Sequence, residues 1–262
     1  MNITILKIGG SVITEKFSET PKVNPENLRR IAKEISSAWN RDEALIIIHG
    51  VGSYGHVIVK RTGIDKGIRT KKQLSDFAET QMLQNELDCI VTKCLIEEGV
   101  PAFPFQASAS AVMNSGRLVK MCAATAGRLA EMGMVPVLYG VPAYDKGQKC
   151  SILSGDEIAP YLAVKLGARR IIHATNVDGV FTSDPNKNPD AKLIREISSA
   201  NIDQVKAGLS GSTATDVTGG MLKKISELLG IGIESQIVNA LTPGNVTKAL
   251  KGEEVLGTII KA

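Results

Sequence analysis

Ile3-Thr4-Ile5-Leu6-Lys7-Ile8-Gly9-Gly10-Ser11 opens the chain as an apolar run that breaks at a pair of glycines. Ile3–Ile8 has strand length, and its near-continuous hydrophobicity suits a strand covered on both faces. Gly9-Gly10-Ser11 reads as a turn with Lys7 beside it. Glycines let backbone N–H groups close around a phosphate with no Cβ in the way, and the lysine adds a point charge. The same residues also suit a plain strand-to-helix turn, since glycine marks turns generally.

The pattern repeats outward from that stretch. Further strand-length runs lie at Ala44–His49, Ala102–Phe105, Val135–Tyr139, Arg170–Ala174, Ser235–Asn239 and Gly257–Ile260. Helical spacing separates them. Asn24 as N-cap and Pro25 at the first helical position announce a helix whose Leu28, Ile31, Ala32, Ile35 and Ala38 share one face. A long helix is expected from Lys71 to Glu98, stopping at Gly99 before Pro101, with others over Val217–Leu229 and Gly244–Leu250. Alternating strands and helices predict a three-layer α/β/α sandwich on a mostly parallel sheet. No internal repeat or linker interrupts it. A single domain over residues 1–262 is expected, with an N-terminal lobe of about 1–150 and a C-terminal lobe of about 151–262.

Composition narrows the function. The 262 residues are 43% hydrophobic and 22% charged, enough for a sizeable core, and the net charge is a mild +4. The basic residues are dispersed, without the stripe and interleaved aromatics of a nucleic-acid surface, so a small anionic ligand fits better than a polyanion. Cys89, Cys94, Cys122 and Cys150 form no C-x-x-C pair and have no histidines at metal-ligand spacing. Free thiols in a reducing compartment are expected. The N-terminus shows no signal-peptide pattern and no apolar run reaches membrane-spanning length, so the expectation is a cytoplasmic protein.

Four more elements carry chemistry. His49-Gly50-Val51-Gly52-Ser53-Tyr54-Gly55-His56 follows the second strand and places three glycines and a serine where a helix begins, an anion site in the making. Ser154-Gly155-Asp156 reads as a turn ahead of a helix from Glu157, with Asp156 its N-cap or a functional carboxylate. Asp178-Gly179 is a tight-turn signal between apolar flanks. Asp216-Val217-Thr218-Gly219-Gly220 reads as a loop feeding a helix, with Lys224 one turn inside. Lys7, Lys16 and Lys224 with these loops suit two facing phosphoryl groups. G-x-x-x-x-G-K-[ST], the protein-kinase motifs, G-x-G-x-x-G and G-x-S-x-G are all absent.

In order, K-I-G-G-S, Lys16, H-G-V-G-S-Y-G-H, S-G-D, T-N-V-D-G-V and D-V-T-G-G-M-L-K-K resemble the amino acid kinase family over essentially the whole chain. The resemblance implies that fold and transfer of a phosphoryl group from ATP, in a histidine-loop branch, to isopentenyl phosphate. Another small phosphate or phosphonate such as fosfomycin is the alternative acceptor. It implies that Lys7 and Gly9, Gly10 and Ser11 hold the ATP phosphates and that Lys16 stabilises the transferring group. Val51 and Gly52 would stand where substrate and nucleotide meet, His56 would bind the acceptor phosphate, and Gly155 would touch the substrate. Asp156 would hold the lysines, while Asp178, Gly219 and Lys224 line the nucleotide side. Mg²⁺ would be held mainly by the nucleotide phosphates rather than by protein ligands, and related kinases suggest a homodimer. The chain departs from the family pattern at Val51 (usually Gly), Tyr54 (usually Phe) and Asn176 (usually Asp). An apolar pocket for the isopentenyl tail is expected near Phe77, Met82 and Leu83.

Overall fold

The computed structural model describes residues 2–15, 18–183, 185, 188–210 and 217–261, with backbone alone for 208–210 and 217–223. Its frame is an eight-stranded sheet of β1 (Ile3–Ile8), β2 (Ala44–His49), β3 (Ala102–Pro104), β4 (Val135–Tyr139), β5 (Arg170–Thr175), β6 (Glu196–Ile197), β7 (Glu234–Asn239) and β8 (Gly257–Ile260). The spatial order is β6-β8-β7-β5-β1-β2-β4-β3, and only β7 and β8 run antiparallel. All six residues of β1 and all six of β2 are buried, which explains their lack of polar alternation.

The nine helices among the described residues are α1 (Gly10–Ile13), α2 (Pro25–Ala38), α3 (His56–Thr62), α4 (Lys71–Glu97), α5 (Ala124–Glu131), α6 (Gly155–Leu166), α7 (Ile202–Ser210), α8 (Val217–Gly230) and α9 (Asn245–Lys251). Neighbouring residues of β1 face opposite layers. Ile5 joins Ile46, Ile158, Leu162 and Ile225 under α6 and α8, while Leu6 joins Ile47, Ile31, Leu87 and Val246 under α2, α4 and α9. The three-layer sandwich is thus present, with one core on each face of the sheet.

Local chemistry sets the helix starts. The Asn24 side chain accepts from the Asn27 N–H with Pro25 at the first position, and Thr70 and Gln73 form a capping box at α4. Two expectations are corrected. α6 begins at Gly155, and its N-cap is Ser154, whose hydroxyl accepts from the Glu157 N–H; Asp156 lies inside the first turn. Thr218, Gly219 and Gly220 belong to the first turn of α8 rather than to a loop, so Lys224 stands two turns in. Asp216 lies outside the described residues.

A smaller four-stranded sheet, Arg117–Lys120, Val112–Asn114, Val141–Asp145 and Lys149–Leu153, was not anticipated from the sequence. It hangs from β4 on the side of the His49–His56 loop. No helix among the described residues is long and apolar enough to cross a membrane.

Candidate active site

The loops singled out in the sequence gather at the carboxyl edge of the sheet, where ligands bind in open α/β folds. Chain order runs outward from β1 in both directions, toward β2 on one side and β5 on the other. Gly9 follows β1 and donates to the Ala174 carbonyl; Gly50 follows β2 and donates to the Ile8 carbonyl, each at 2.8 Å. The two turns then touch backbone to backbone. A Cβ on Gly50 would lie 2.5 Å from the Gly10 nitrogen, and one on Gly10 would run into the Gly52 nitrogen. Gly52 has φ +46°, and its Cα faces the Thr14 hydroxyl. Thr14 closes the contact by donating to the Gly10 carbonyl and accepting from the Ser53 N–H.

Beside this crossing stands a charge cluster. Lys7 Nζ, only 7% exposed as a residue, lies 3.0 Å from Asp156 Oδ1, and Lys224 Nζ lies 3.2 Å from the same oxygen. β1 supplies the first lysine, α8 the second, and the first turn of α6 the carboxylate. Burial alone would raise the Asp156 carboxyl, but Lys7, then Lys224, outweigh it and hold it well below the usual carboxylate range. Burial and then Lys7 push the Lys224 ammonium down, against the pull of Asp156. Two ammoniums on one carboxylate leave one positive charge over, which suits an incoming polyphosphate. Gly155 is buried, and a Cβ there would press on Ile48 at 3.1 Å and stand in van der Waals contact with the Lys7 stem.

His173 completes the cluster. It pairs with Lys7 across the sheet, is fully buried, and holds Nδ1 3.9 Å from Asp156 Oδ1. Burial, then Lys224, push its imidazole down to about 3, so it stays neutral beside the lysines. Sequence reading missed it because it sits inside the apolar run of β5. The only signal was a histidine in an otherwise hydrophobic strand.

The loop from His49 to His56 turns as expected and then differs in detail. Val51 has φ −97°, so the residue that replaces the family's glycine sits without backbone strain. A Cβ on Gly55 would meet its side chain, so a small residue there accommodates the larger one at 51. Tyr54 is buried, and His56 is the exposed first residue of α3. Gly140 bridges the two halves of the site, its Cα facing both Gly155 and Val51. On the far side Asp178 accepts from Asn239 Nδ2 at 2.9 Å, next to exposed Asn176. Lys16 lies outside the described residues, and Gly219 is placed only by its backbone in α8.

Of the expected tail wall, Phe77 alone joins an apolar cluster near this loop, with Val59, Ile64, Ile68, Cys150 and Ile152. Leu83 packs into the main core instead, and Met82 is 60% exposed. Helical geometry explains the split, because residues 77, 82 and 83 of α4 point in different directions. Among the described residues no group of three or more His, Cys, Asp or Glu side chains could hold a metal ion.

A carboxyl-edge crevice with buried lysines shared by one carboxylate and two interlocked glycine turns defines a phosphoryl-group-binding α/β protein, and the chain belongs to the amino acid kinase family, whose model matches residues 2–238. It is 43% identical to the isopentenyl phosphate kinase of Methanothermobacter thermautotrophicus and 34% identical to that of Methanocaldococcus jannaschii, with 98% of each chain covered in both cases. A solved isopentenyl phosphate kinase superposes with a TM-score of 0.86 at 39% identity, covering 99% of this chain and all of the other.

Proposed function

We propose that this chain is an ATP-dependent kinase that converts isopentenyl phosphate to isopentenyl diphosphate. The observation that carries it is the backbone contact of Gly10 with Gly50 and Gly52, which sets the lysine-bearing turn against the histidine-bearing loop. Phosphoryl groups held by the two would face each other across that contact. An oxygen of the acceptor phosphate forms the new bond to the γ-phosphorus, the bond to the β–γ bridging oxygen breaks, and ADP leaves with that oxygen.

The acceptor needs no general base, because a phosphate monoester with a second pKa near 6 is already largely ionised at neutral pH. Repulsion is the obstacle. Two unit charges about 4 Å apart interact by about 4 kcal/mol at an effective dielectric of about 20, and each partner carries more than one. Lys7, Lys224 and the glycine-turn amides lower that cost, as positioning and electrostatics do in phosphoryl transfer generally. We assign Gly9, Gly10 and Ser11 to the ATP phosphates, Lys16 to the transferring group, Val51, Gly52 and His56 to the acceptor, and Asp178 and Gly219 to the nucleotide side. Asp156 holds the two lysines together on one oxygen, offsets their mutual repulsion and aims them at the phosphates. We place substrate against Gly155, beside the Lys7 stem, as the resemblance implies. Mg²⁺ would come with the nucleotide and neutralise its phosphates, since the one carboxylate of the lysine cluster is taken up by the lysines. Within one domain, residues 1–150 carry the acceptor loop together with the phosphate turn after β1, and 151–262 carry most of the nucleotide side; a homodimer follows from the resemblance, and four free cysteines accord with a cytoplasmic location.

Coupled ADP-release assays with isopentenyl phosphate, fosfomycin and N-acetylglutamate test the acceptor. Turnover is expected with the first; faster turnover with either of the others would overturn the reading. His56→Ala should raise the acceptor KM and lower kcat by about 10²-fold, while His56→Gln, which keeps a donor, retains more activity. Equal activity in all three proteins would remove His56 from the acceptor site.

A further inference from the structure

Beneath the acceptor loop lies a buried polar pair that the phosphoryl-transfer account leaves unused. His49, the last residue of β2, is fully buried, with Nε2 3.2 Å from Oδ1 of Asp88 on α4 and Nδ1 3.0 Å from the carbonyl oxygen of Gly50. Its ring stacks on Tyr139 at 5.6 Å and 15°. A carbonyl oxygen can only accept, so Nδ1 carries hydrogen. Nε2 then faces the carboxyl group with a second proton between them, either on the ring or on Asp88, and in both forms the pair is electrically neutral. Burial raises the Asp88 carboxyl, and the His49 contact opposes that rise.

The consequence falls on the loop. Gly50 C=O and Val51 N–H belong to one planar trans peptide and point in opposite directions. The Gly50 N–H is bound to the Ile8 carbonyl and the His49 carbonyl accepts from Gly140, so the chain is fixed up to this peptide. Turning its carbonyl inward onto the imidazole turns the Val51 N–H outward, away from the core. Among the described residues that N–H donates to no protein group.

We propose that His49, held with its Nδ1–H on the Gly50 carbonyl by Asp88, is a positioning residue that locks the Gly50–Val51 peptide so that the Val51 N–H presents itself to the acceptor phosphate. This rests on the acceptor assignment made above. α4 supports the pair from below. Asn85 and Gln81 hold the Tyr139 hydroxyl, while the side-chain amide of buried Gln84 finds no hydrogen-bond partner among the described residues and lies against Gly55. Buried polar groups are ordinarily satisfied, and such exceptions concentrate where function requires them.

Four substitutions separate this role from core filling. His49→Phe keeps the stack on Tyr139 but loses the donor to Gly50. His49→Asn restores a donor near the Nδ1 position. Asp88→Asn donates to Nε2 and so preserves the Nδ1–H tautomer; Asp88→Leu does not. For folded proteins, with folding checked by circular dichroism, His49→Phe should raise the isopentenyl phosphate KM and lower kcat, each by about tenfold, because a misdirected donor loses both ground-state and transition-state contact. The ATP KM should stay within about twofold, since the lysine cluster is untouched. His49→Asn and Asp88→Asn should recover most of the loss, and Asp88→Leu should resemble His49→Phe. Long-range ¹H–¹⁵N correlation of the wild type should show His49 Nδ1 protonated. Unchanged acceptor KM and kcat in folded His49→Phe, or an unprotonated Nδ1, would overturn the proposal. A wild type inert toward isopentenyl phosphate would overturn the functional reading alone. Calorimetric binding of inorganic phosphate to the same variants would then decide the role of His49, with the same ranking expected.

Discussion

Asp156 takes two ammonium groups on one oxygen and has a neutral imidazole as its third neighbour. Removing its charge leaves Lys7 and Lys224 repelling each other in a largely buried space. Asp156→Asn should therefore lower kcat/KM by about 10²-fold or more through lost aim, with folding of the purified protein checked by circular dichroism. Retention of wild-type kinetics would show that the lysines need no organiser. His173 gives a stability prediction with a definite sign. Its folded pKa of about 3 lies below the ordinary 6.5, so between those values the unfolded chain binds more protons. The native state thus loses stability as pH falls through that window, and keeps it above. Asp88, with its carboxyl raised, acts in the opposite direction, so the comparison must be between wild type and a His173 variant. Urea denaturation at pH 7 and about pH 4.5 should show His173→Asn gaining relative to wild type by up to about 3 kcal/mol at the lower pH, one pKa unit being 1.36 kcal/mol. A pH-independent difference would mean that His173 is not held neutral.

At the scale of elements, the small sheet beside the His49–His56 loop depends on one carboxylate. Asp145 is fully buried and accepts from the N–H groups of Ser115, Gly116, Gly147 and Gln148 and from the Ser151 hydroxyl. Burial opposes its ionisation, but these donors, Gly116 first, hold the carboxyl far below the usual range. Gln148 in turn reaches the Asp65 carbonyl and receives the Ile68 N–H on its own carbonyl, so the clasp also fixes the apolar cluster of Ile64, Ile68 and Cys150. Asp145→Ala should cost about 3 kcal/mol, the scale of charge-assisted bonds lost from a buried site, measured as a fall in urea midpoint at unchanged slope. An unchanged midpoint would show that the sheet holds without it. This element also marks where sequence reading stops. β1, β2 and α2 were legible because burial on two faces or on one helical stripe writes a period into the sequence; the Asn24 cap added a local signal for α2, and the Gly99–Pro101 stop marked the end of α4, whereas its Thr70 capping box emerged only in the structure. A carboxylate gathering amides from two turns and a hydroxyl from a strand leaves no period. The site divides the same way: Lys7, Asp156 and Lys224 stood out through glycine motifs, whereas His49 and Asp88 are 39 positions apart and His173 hides in a hydrophobic strand.

For the whole molecule, the decisive feature is that the two halves of the site meet as bare backbone. Gly10 at the start of α1 presses on Gly50 and Gly52, and Thr14 and Ser53 bolt the contact with side-chain hydrogen bonds. The neighbours of a Cβ at position 10 are backbone atoms, which cannot rotate aside as a flexible side chain can. Gly10→Ala must therefore move the turn after β1 and the loop after β2 together. ATP binding and acceptor binding should weaken in the same protein, with kcat reduced by about 10²-fold, since an ångström of misplacement is enough for that loss. Gly99→Ala is the matching control. Gly99 lies at the end of α4 with φ +84° and open space around its Cβ position, so alanine there adds backbone strain of about 1 kcal/mol and no collision. It should lower the melting temperature and leave both KM values unchanged. If Gly10→Ala instead raised only the ATP KM, the turn would serve the nucleotide alone, and the two phosphate sites would be independent neighbours rather than one interlocked crevice.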